Sequence, residues 1–355
     1  MFQSRRVFHC LKSGEKLTQL NLVIPGLCGP LPDLDRLDAE SVQSLVSWLS
    51  RSDRRISPQK NFYDVLGMLF ALDSAKPFPA AALSLLACDQ YTEEGYWFHV
   101  DPVHLQADMD HAILRDTHGL DLTQQESETL IKELNTHFLE DGIRFFMGDK
   151  DSWFLNIADH EKITTTPVSE VISRNVYAFM PQGEDALFWK KFMNEVQMLL
   201  HHSAVNQLRI DNNKLPVNGA WLWGEGALPA KTCTHKMGVY GNHALLKGLA
   251  AVNELSCHPI SDVVDLTGSV SRQSESLVLL DDLFNVTCYG DVTAWQSVFN
   301  ELYTNWLEPI LSWAMKNKIS INLYPCNGVC YQITGRNKFR FFRDKRIEKY
   351  IDTYE

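Results

Sequence analysis

Short apolar runs alternate with helix-patterned segments along this chain, and that alternation restricts the fold more than any single motif. Leu20-Asn-Leu-Val-Ile24 is β-rich and is halted by Pro25-Gly26, the punctuation of a buried strand running into a loop. Val42, Leu45, Val46 and Leu49 then recur at helical spacing, so residues 38–49 are expected to form a helix capped by Asp38. The alanine-rich run 80–87 reads as a helix. Residues 97–105 have strand character interrupted by Pro102, and 143–147 and 153–157 read as two strands around Gly148-Asp149-Lys150-Asp151. Between them, 123–138 is a helix whose Thr123 and Glu126 make a capping box.

The second half continues the pattern. Residues 185–210 form the longest helical pattern, and 215–226 read as a loop rich in Trp, Gly and Pro. A helix is expected over 242–253, and 277–283 with 285–289 bracket a strand region. Residues 292–316 are helical with a kink at Pro309, and 319–324 and 329–333 are strands. Strands alternating with helices predict an α/β protein, a mainly parallel sheet with helices on both faces.

A chain of 355 residues, 45% apolar and 22% charged, can bury a sizeable core. Its formal net charge of −11 disfavours phosphate-backbone contacts and anionic membranes, so neither nucleic acid nor lipid is an expected partner. Eight cysteines (Cys10, Cys28, Cys88, Cys233, Cys257, Cys288, Cys326 and Cys330) are scattered rather than framed, which is usage of a reducing compartment. Cys326 and Cys330 are the close pair, but no second pair accompanies them as a zinc site requires. Arg5 and Arg6 precede no unbroken apolar stretch of signal-peptide or membrane-span length, so a cytoplasmic location is expected.

Three constellations can carry chemistry. Asp101-Pro-Val-His104 is followed by Asp108 and Asp110; a carboxylate and an imidazole three residues apart serve a metal or an acid–base pair, or simply satisfy a strand end. On the long helix, Glu195, His202, Asn206 and Arg209 fall within roughly 60° of one another, a face suited either to a small anion or to solvent. In Leu215-Pro-Val-Asn218-Gly-Ala-Trp221-Leu-Trp223-Gly-Glu225-Gly226, an extended backbone would point both tryptophans to one face, as a ligand wall or as core. Phosphate-loop, dinucleotide, nucleophile-elbow and zinc-protease motifs are missing from the sequence, and Ser84 and Cys88 have no base nearby along the chain.

The ordered series Asn206-Gln-Leu-Arg209, Leu215-Pro-Val-Asn218 and Trp221-Leu-Trp223-Gly-Glu225-Gly226 resembles that of the archaeal-type cofactor-independent phosphoglycerate mutases. Leu83-Ser-Leu-Leu86-Ala-Cys-Asp89, the helix at 123–138 and the segment 240–249 resemble flanking parts of that family. Asp101-Pro-Val-His104-Leu105 is similar to a segment of a bacterial branch, the RpfE-type regulatory proteins. The resemblance implies an alkaline-phosphatase-like core over 1–90 and 216–355, with an inserted α/β subdomain over 91–215.

The resemblance also implies a two-metal centre and a serine nucleophile, and here the sequence departs from it. The aspartate after the first strand is matched by Pro25-Gly26, and the serine by Phe78. A later Asp-x-x-x-His motif, due after residues 285–289, is matched by Gly290-Asp291-Val-Thr-Ala-Trp295, with no histidine. The final Asp-His pair is matched by Pro325-Cys326. The expectation is therefore a degenerate relative without metal or cofactor, regulatory in role. It would bind a phosphorylated or carboxylated small molecule through His202, Asn206, Arg209, Asn218, Trp221, Trp223, Glu225, Asp101 and His104. Two alternatives stand beside it: a phosphatase or phosphomutase with relocated chemistry on Asp101, His104 and His202, and a structural protein that docks a protein partner on its tryptophan-rich segment.

Overall fold

The computed structural model describes residues 18–354 except 36, 38, 89, 92–93, 109–110, 116–118, 159–161, 338–339 and 341–342; of Ala39, Ala107, Asp108 and His111 only the backbone is described. Arg5, Arg6, Cys10, the expected cap Asp38, Asp89 and Asp110 lie outside the described residues.

The first third of the chain runs β1 (Gln19–Val23), α1 (Ala39–Arg51), β2 (Asp53–Ile56), α2 (Phe62–Leu69) and α3 (Ala80–Ala87). The middle holds β3 (Tyr96–Asp108), β4 (His111–Arg115), α4 (Gln124–His137), β5 (Arg144–Asp149), β6 (Ser152–Ile157), β7 (Ile163–Thr164), β8 (Gln182–Gly183), α5 (Ala186–His202), α6 (Ala204–Asp211) and β9 (Gly219–Gly226). The remainder is β10 (Gly238–Tyr240), α7 (Ala244–Val252), β11 (Cys257–His258), α8 (Val263–Val270), β12 (Glu275–Leu279), α9 (Asp282–Cys288), α10 (Val292–Leu302), α11 (Glu308–Lys316), β13 (Ser320–Tyr324) and β14 (Val329–Ile333).

The fold is α/β with a mostly parallel central sheet in the order β11-β10-β12-β1-β13-β14-β2. β1 pairs in parallel with β12 and β13, whereas β14 and β2 join antiparallel at one edge. A central parallel strand must be apolar on both faces, and Leu20, Leu22 and Val23 are buried accordingly. Leu22, Val278 and Leu323 face one layer, where Val42, Leu45, Val46 and Leu49 of α1 are buried. Each such side chain contributes on the order of 1.5–3 kcal/mol. Val23, Val239 and Leu279 face the other layer, formed by α2, α3 and α7. There α3 and α7 cross so closely that a Cβ on Gly248 would stand 2.2 Å from the Leu83 carbonyl oxygen.

A second sheet has the order β4-β3-β6-β5, and β9 adds to β3. One face packs on α4 and α5 through Phe98, Val100, Leu222, Trp189 and Phe192. The other, through Val103, Trp221 and Trp223, continues into the core of the first sheet. Pro102 is tolerated because residues 100–103 pair only with β9, between the stretches of β3 bonded to β6 and to β4. Thr123 and Glu126 form the capping box expected of α4.

Three expectations need correction, and a fourth, at Pro309, is made specific. The helical pattern 185–210 is two helices, because Ser203 sits at φ −64°, ψ 135° and caps α6 by accepting from the Val205 N–H. The segment 215–226 is not all loop: Gly219–Gly226 is a strand buried at every residue. Residues 285–289 are not a strand edge, since β12 ends at Leu279 and Asp282–Cys288 is helical. The kink at Pro309 is a π-helical turn over Tyr303–Leu307; a proline cannot donate to the carbonyl four residues back, and the ladder widens before α11. Among the described residues, no helix is long and apolar enough to cross a membrane.

Candidate functional site

In an open parallel sheet, ligands enter at the carboxyl ends of the strands, where the loops diverge. Here the chain leaving β1 supplies Pro25 and Gly26, the chain leaving β13 supplies Pro325 and Cys326, and α9 after β12 supplies Phe284, Thr287 and Cys288. They wall one cleft of about 290 Å³. The cleft is lined also by Lys60, Asn61, Phe62 and Tyr63 at the start of α2, the Phe62 ring packing on Phe284 at 5.1 Å, and by Ser169, Glu170 and Arg174 from the segment between β7 and β8. Asn61 caps α2 by accepting from the Asp64 N–H at 2.9 Å. Its amide donates to Glu170 Oε1 at 3.2 Å, and the Tyr63 hydroxyl lies 3.3 Å from Ser169 Oγ. Burial raises the Glu170 carboxyl, against the Asn61 bond that lowers it.

Of the positions that the family resemblance assigns to metal ligands and nucleophile, Pro25-Gly26 and Pro325-Cys326 line this cleft, Phe78 lines a second cavity, and Asp291 caps α10 by accepting from the Thr293 and Ala294 N–H groups. Proline, glycine and phenylalanine offer no ligand atom, and burial pushes the Cys326 thiol up, away from the thiolate a metal needs. Gly26 could not gain a side chain: its φ is +81° and a Cβ would fall 2.3 Å from Thr287 Oγ1. Its carbonyl is taken by the Trp295 indole at 2.9 Å. Beside the cleft, His243 packs its ring against Phe62 at 5.1 Å and accepts the Leu245 N–H on Nδ1 at 3.2 Å, capping α7. Burial holds its imidazole below the usual range despite the Asp281 carboxylate. Among the described residues, no group of three or more His, Cys, Asp or Glu side chains is placed to hold a metal ion. The seven described cysteines are all free.

A second cavity of about 340 Å³ shares Asn61 and Tyr63 with the cleft and is lined also by Phe78, Thr165, Trp223, Gly224 and Glu225. Trp221 and Trp223 do lie on one face of β9, buried. Trp223 stacks on His99 at 4.3 Å and 9° and donates to Asp101 Oδ2 at 2.6 Å; Trp221 donates to the Thr166 carbonyl at 2.9 Å. Both Glu225 oxygens accept from Thr165, one from its N–H at 3.0 Å and one from its hydroxyl.

The other predicted residues are engaged within the protein. Asn206 donates to the Leu200 and Val217 carbonyls at 2.7 and 2.8 Å and accepts the Val217 N–H at 2.8 Å. Arg209, 1% exposed, donates to Glu126 Oε1 at 2.9 Å, to the Leu215 carbonyl at 2.8 Å and to the Leu120 carbonyl. The Asn218 amide pairs with the backbone of Leu105 in both directions. His202 is exposed, its Nδ1 turned back 2.7 Å to the Met198 carbonyl. Glu195 bonds His137 at 2.7 Å. The common face expected for Glu195, His202, Asn206 and Arg209 does not exist, because Ser203 breaks the helical phase between them. Asp101 and His104 are not a pair either: three residues apart on a strand, they point to opposite faces. His104 Nδ1 donates instead to the Pro216 carbonyl at 2.9 Å.

Two groups of residues had no sequence signal tying them together. Lys60, Glu170 and Arg174 meet at the cleft from distant segments; only Asn61, an N-cap type before an apolar run, was detectable locally. Ser84, given no base by the sequence, lies 3.3 Å from His99 Nε2. His99 Nδ1 is 3.7 Å from Asp101 Oδ1, beyond hydrogen-bond range, and Trp223 holds the other Asp101 oxygen. The network clamps α3 to the second sheet.

No family model matches the chain. It is 25% identical over 189 residues to the 2,3-bisphosphoglycerate-independent phosphoglycerate mutase of Methanosarcina mazei, covering 49% of this chain and 47% of the relative. It is 24% identical over 175 residues to the probable enzyme of that name in Geobacter sulfurreducens, covering 48% and 43%. The matched stretches span less than half of those relatives. Over 94% of the chain the fold is similar to that of the PH0037 protein of Pyrococcus horikoshii, with a TM-score of 0.50 and 13% identity over 92% of that chain. Over the matched stretches the chain is similar to phosphoglycerate mutases at low identity, and its α/β fold is similar to that structure.

Proposed function

We propose that this protein is a catalytically degenerate phosphoglycerate-mutase-like binding protein with a regulatory role. The observation that carries the reading is the composition of the strand-end cleft. Pro25 and Pro325-Cys326, which the resemblance matches to metal ligands, line it without the clustered hard ligands that phosphoryl transfer by a metal pair needs, and this supports the reading. Without metal or nucleophile that chemistry loses most of its electrostatic stabilisation. The mutase-like series around Asn206, Arg209, Asn218 and Trp221 is retained for the interior bonds it makes. In this reading the core is 1–90 with 216–355 and the insert is 91–215, with the buried β9 as the seam. The protein acts in the cytoplasm.

The test is metal content and turnover together. Purified protein is incubated with manganese and zinc, desalted and analysed for metal, then assayed for interconversion of 2- and 3-phosphoglycerate. The expected result is substoichiometric metal and no turnover. Two retained ions per chain with metal-dependent turnover would overturn the proposal.

A further inference from the structure

The N-terminus of α7 is capped by an imidazole, where a hydroxyl, carboxylate or carboxamide is usual. His243 has non-helical backbone, φ −65° and ψ 136°, and its Nδ1 accepts the Leu245 N–H at 3.2 Å. A ring nitrogen that accepts carries no proton, so the neutral ring holds its hydrogen on Nε2. Protonation puts an N–H on Nδ1, facing the Leu245 N–H, and the two donors cannot bond. The cap therefore exists only while the ring is neutral.

The ring meets Phe62 edge-on at 5.1 Å, and Phe62 lines the strand-end cleft and packs on Phe284 at 5.1 Å. Further along α7, Gly248 lies against the Leu83 carbonyl of α3, so the middle of the helix is held by packing while its first turn depends on the cap. Phe62 brings no charge to the ring. The charged group that acts on it is Asp281, between β12 and α9, with Asp282 beside it; Lys247 is the charged residue of α7 itself. We propose that His243 is a proton-operated latch: the neutral ring caps α7 and braces Phe62, and protonation releases both, loosening this side of the cleft as pH falls. The latch is independent of whether the cleft is catalytically degenerate. Burial opposes the charged ring more than Asp281 favours it, which holds the imidazole below its ordinary 6.5. With the folded value depressed, the stability of the latch is complete above 6.5 and is lost as pH falls below it toward the folded value. Opening of the first turn frees the ring to take its proton, so opening rises by up to about tenfold per pH unit in that window.

Nitrogen NMR of the imidazoles and amide hydrogen exchange on the whole chain test this, with His243→Asn as the comparison, because asparagine caps a helix and does not titrate. His243 is expected in the Nε2–H tautomer and neutral to below pH 6.5. In the wild type, protection of the Leu245 amide, corrected for intrinsic exchange, is expected to fall by up to about tenfold per pH unit below 6.5. Protection of the Val65 amide, bonded to the Asn61 carbonyl at 3.2 Å in the first turn of α2, should fall with it. Both should stay flat in His243→Asn, whose fold circular dichroism checks. Asp281, whose carboxyl burial raises, is present in both proteins, so the difference between them isolates the histidine. A proton on Nδ1 in the neutral ring, titration at or above 6.5, equal pH dependence in the two proteins, or Val65 protection that does not follow Leu245 overturns the proposal.

Discussion

Arg209 and Glu126, 83 residues apart in sequence, meet at 2.9 Å, with the arginine side chain 1% exposed. Glu126 uses its second oxygen for the capping box, accepting from the Thr123 N–H at 2.8 Å and hydroxyl at 2.9 Å. One carboxylate thus starts α4 and neutralises a buried guanidinium on α6. Removing the arginine strands that carboxylate oxygen and two carbonyl acceptors, those of Leu120 and Leu215. Arg209→Ala is expected to destabilise the protein by about 3–5 kcal/mol in urea unfolding. Glu126→Gln, which keeps a cap acceptor, should cost clearly less than the loss of the arginine. Near-wild-type stability for Arg209→Ala would contradict the structural assignment.

The same pair predicts a pH dependence. Burial raises the Glu126 carboxyl, but the bonds from Thr123 and Arg209 outweigh it and leave it below its ordinary value of 4.5. A depressed folded-state value means stability that is present above the unfolded value and lost as pH falls through the folded one. Acid unfolding followed below pH 4.5 should therefore be shallower in Glu126→Gln than in the wild type.

Glu225 has the opposite sign. Burial raises its carboxyl above 4.5, against the bonds from Thr165. Its contribution is complete below the unfolded value and is lost as pH rises through the folded one. Glu225→Gln, neutral throughout, should lose less thermal stability than the wild type between pH 4.5 and 8. An equal loss in both proteins would argue against this carboxylate as the source.

Gly26 tests how firmly the cleft floor is closed. Gly26→Ala forces a side chain into φ +81° and against Thr287 Oγ1, so a loss of about 1–3 kcal/mol or more is expected from chemical denaturation. Thr287→Ala in the same chain removes the nearest clash and should recover part of that loss. The Leu283 carbonyl, 2.9 Å from the added Cβ, keeps the recovery incomplete.

Ser203 separates α5 from α6 by accepting the Val205 N–H at 3.2 Å. Ser203→Ala should cost about 1 kcal/mol in thermal or urea unfolding, the usual value of a lost cap. A variant more stable than the wild type would mean that the break is imposed elsewhere.

The sequence by itself determined the elements that rest on local chemistry. Leu20–Val23 had to be a strand buried on both faces because its apolar run is short and Pro25-Gly26 stops it; Thr123 and Glu126 had to open a helix because each satisfies the other's backbone donor. A likeness to the phosphoglycerate mutases was also legible. Tertiary structure alone decided what the polar residues do. A sequence shows that Arg209 and Asn206 can bind an anion or a carbonyl, but not whether protein groups have already taken those donors, and here Glu126, Leu120, Leu200 and Val217 have taken them. Burial reverses the reading in the same way: a tryptophan-rich run that looks like a loop becomes β9 because β3 supplies its hydrogen bonds. The cleft itself joins Lys60, Arg174 and Phe284 from segments far apart in the chain, and only the packing of the two sheets brings those segments together.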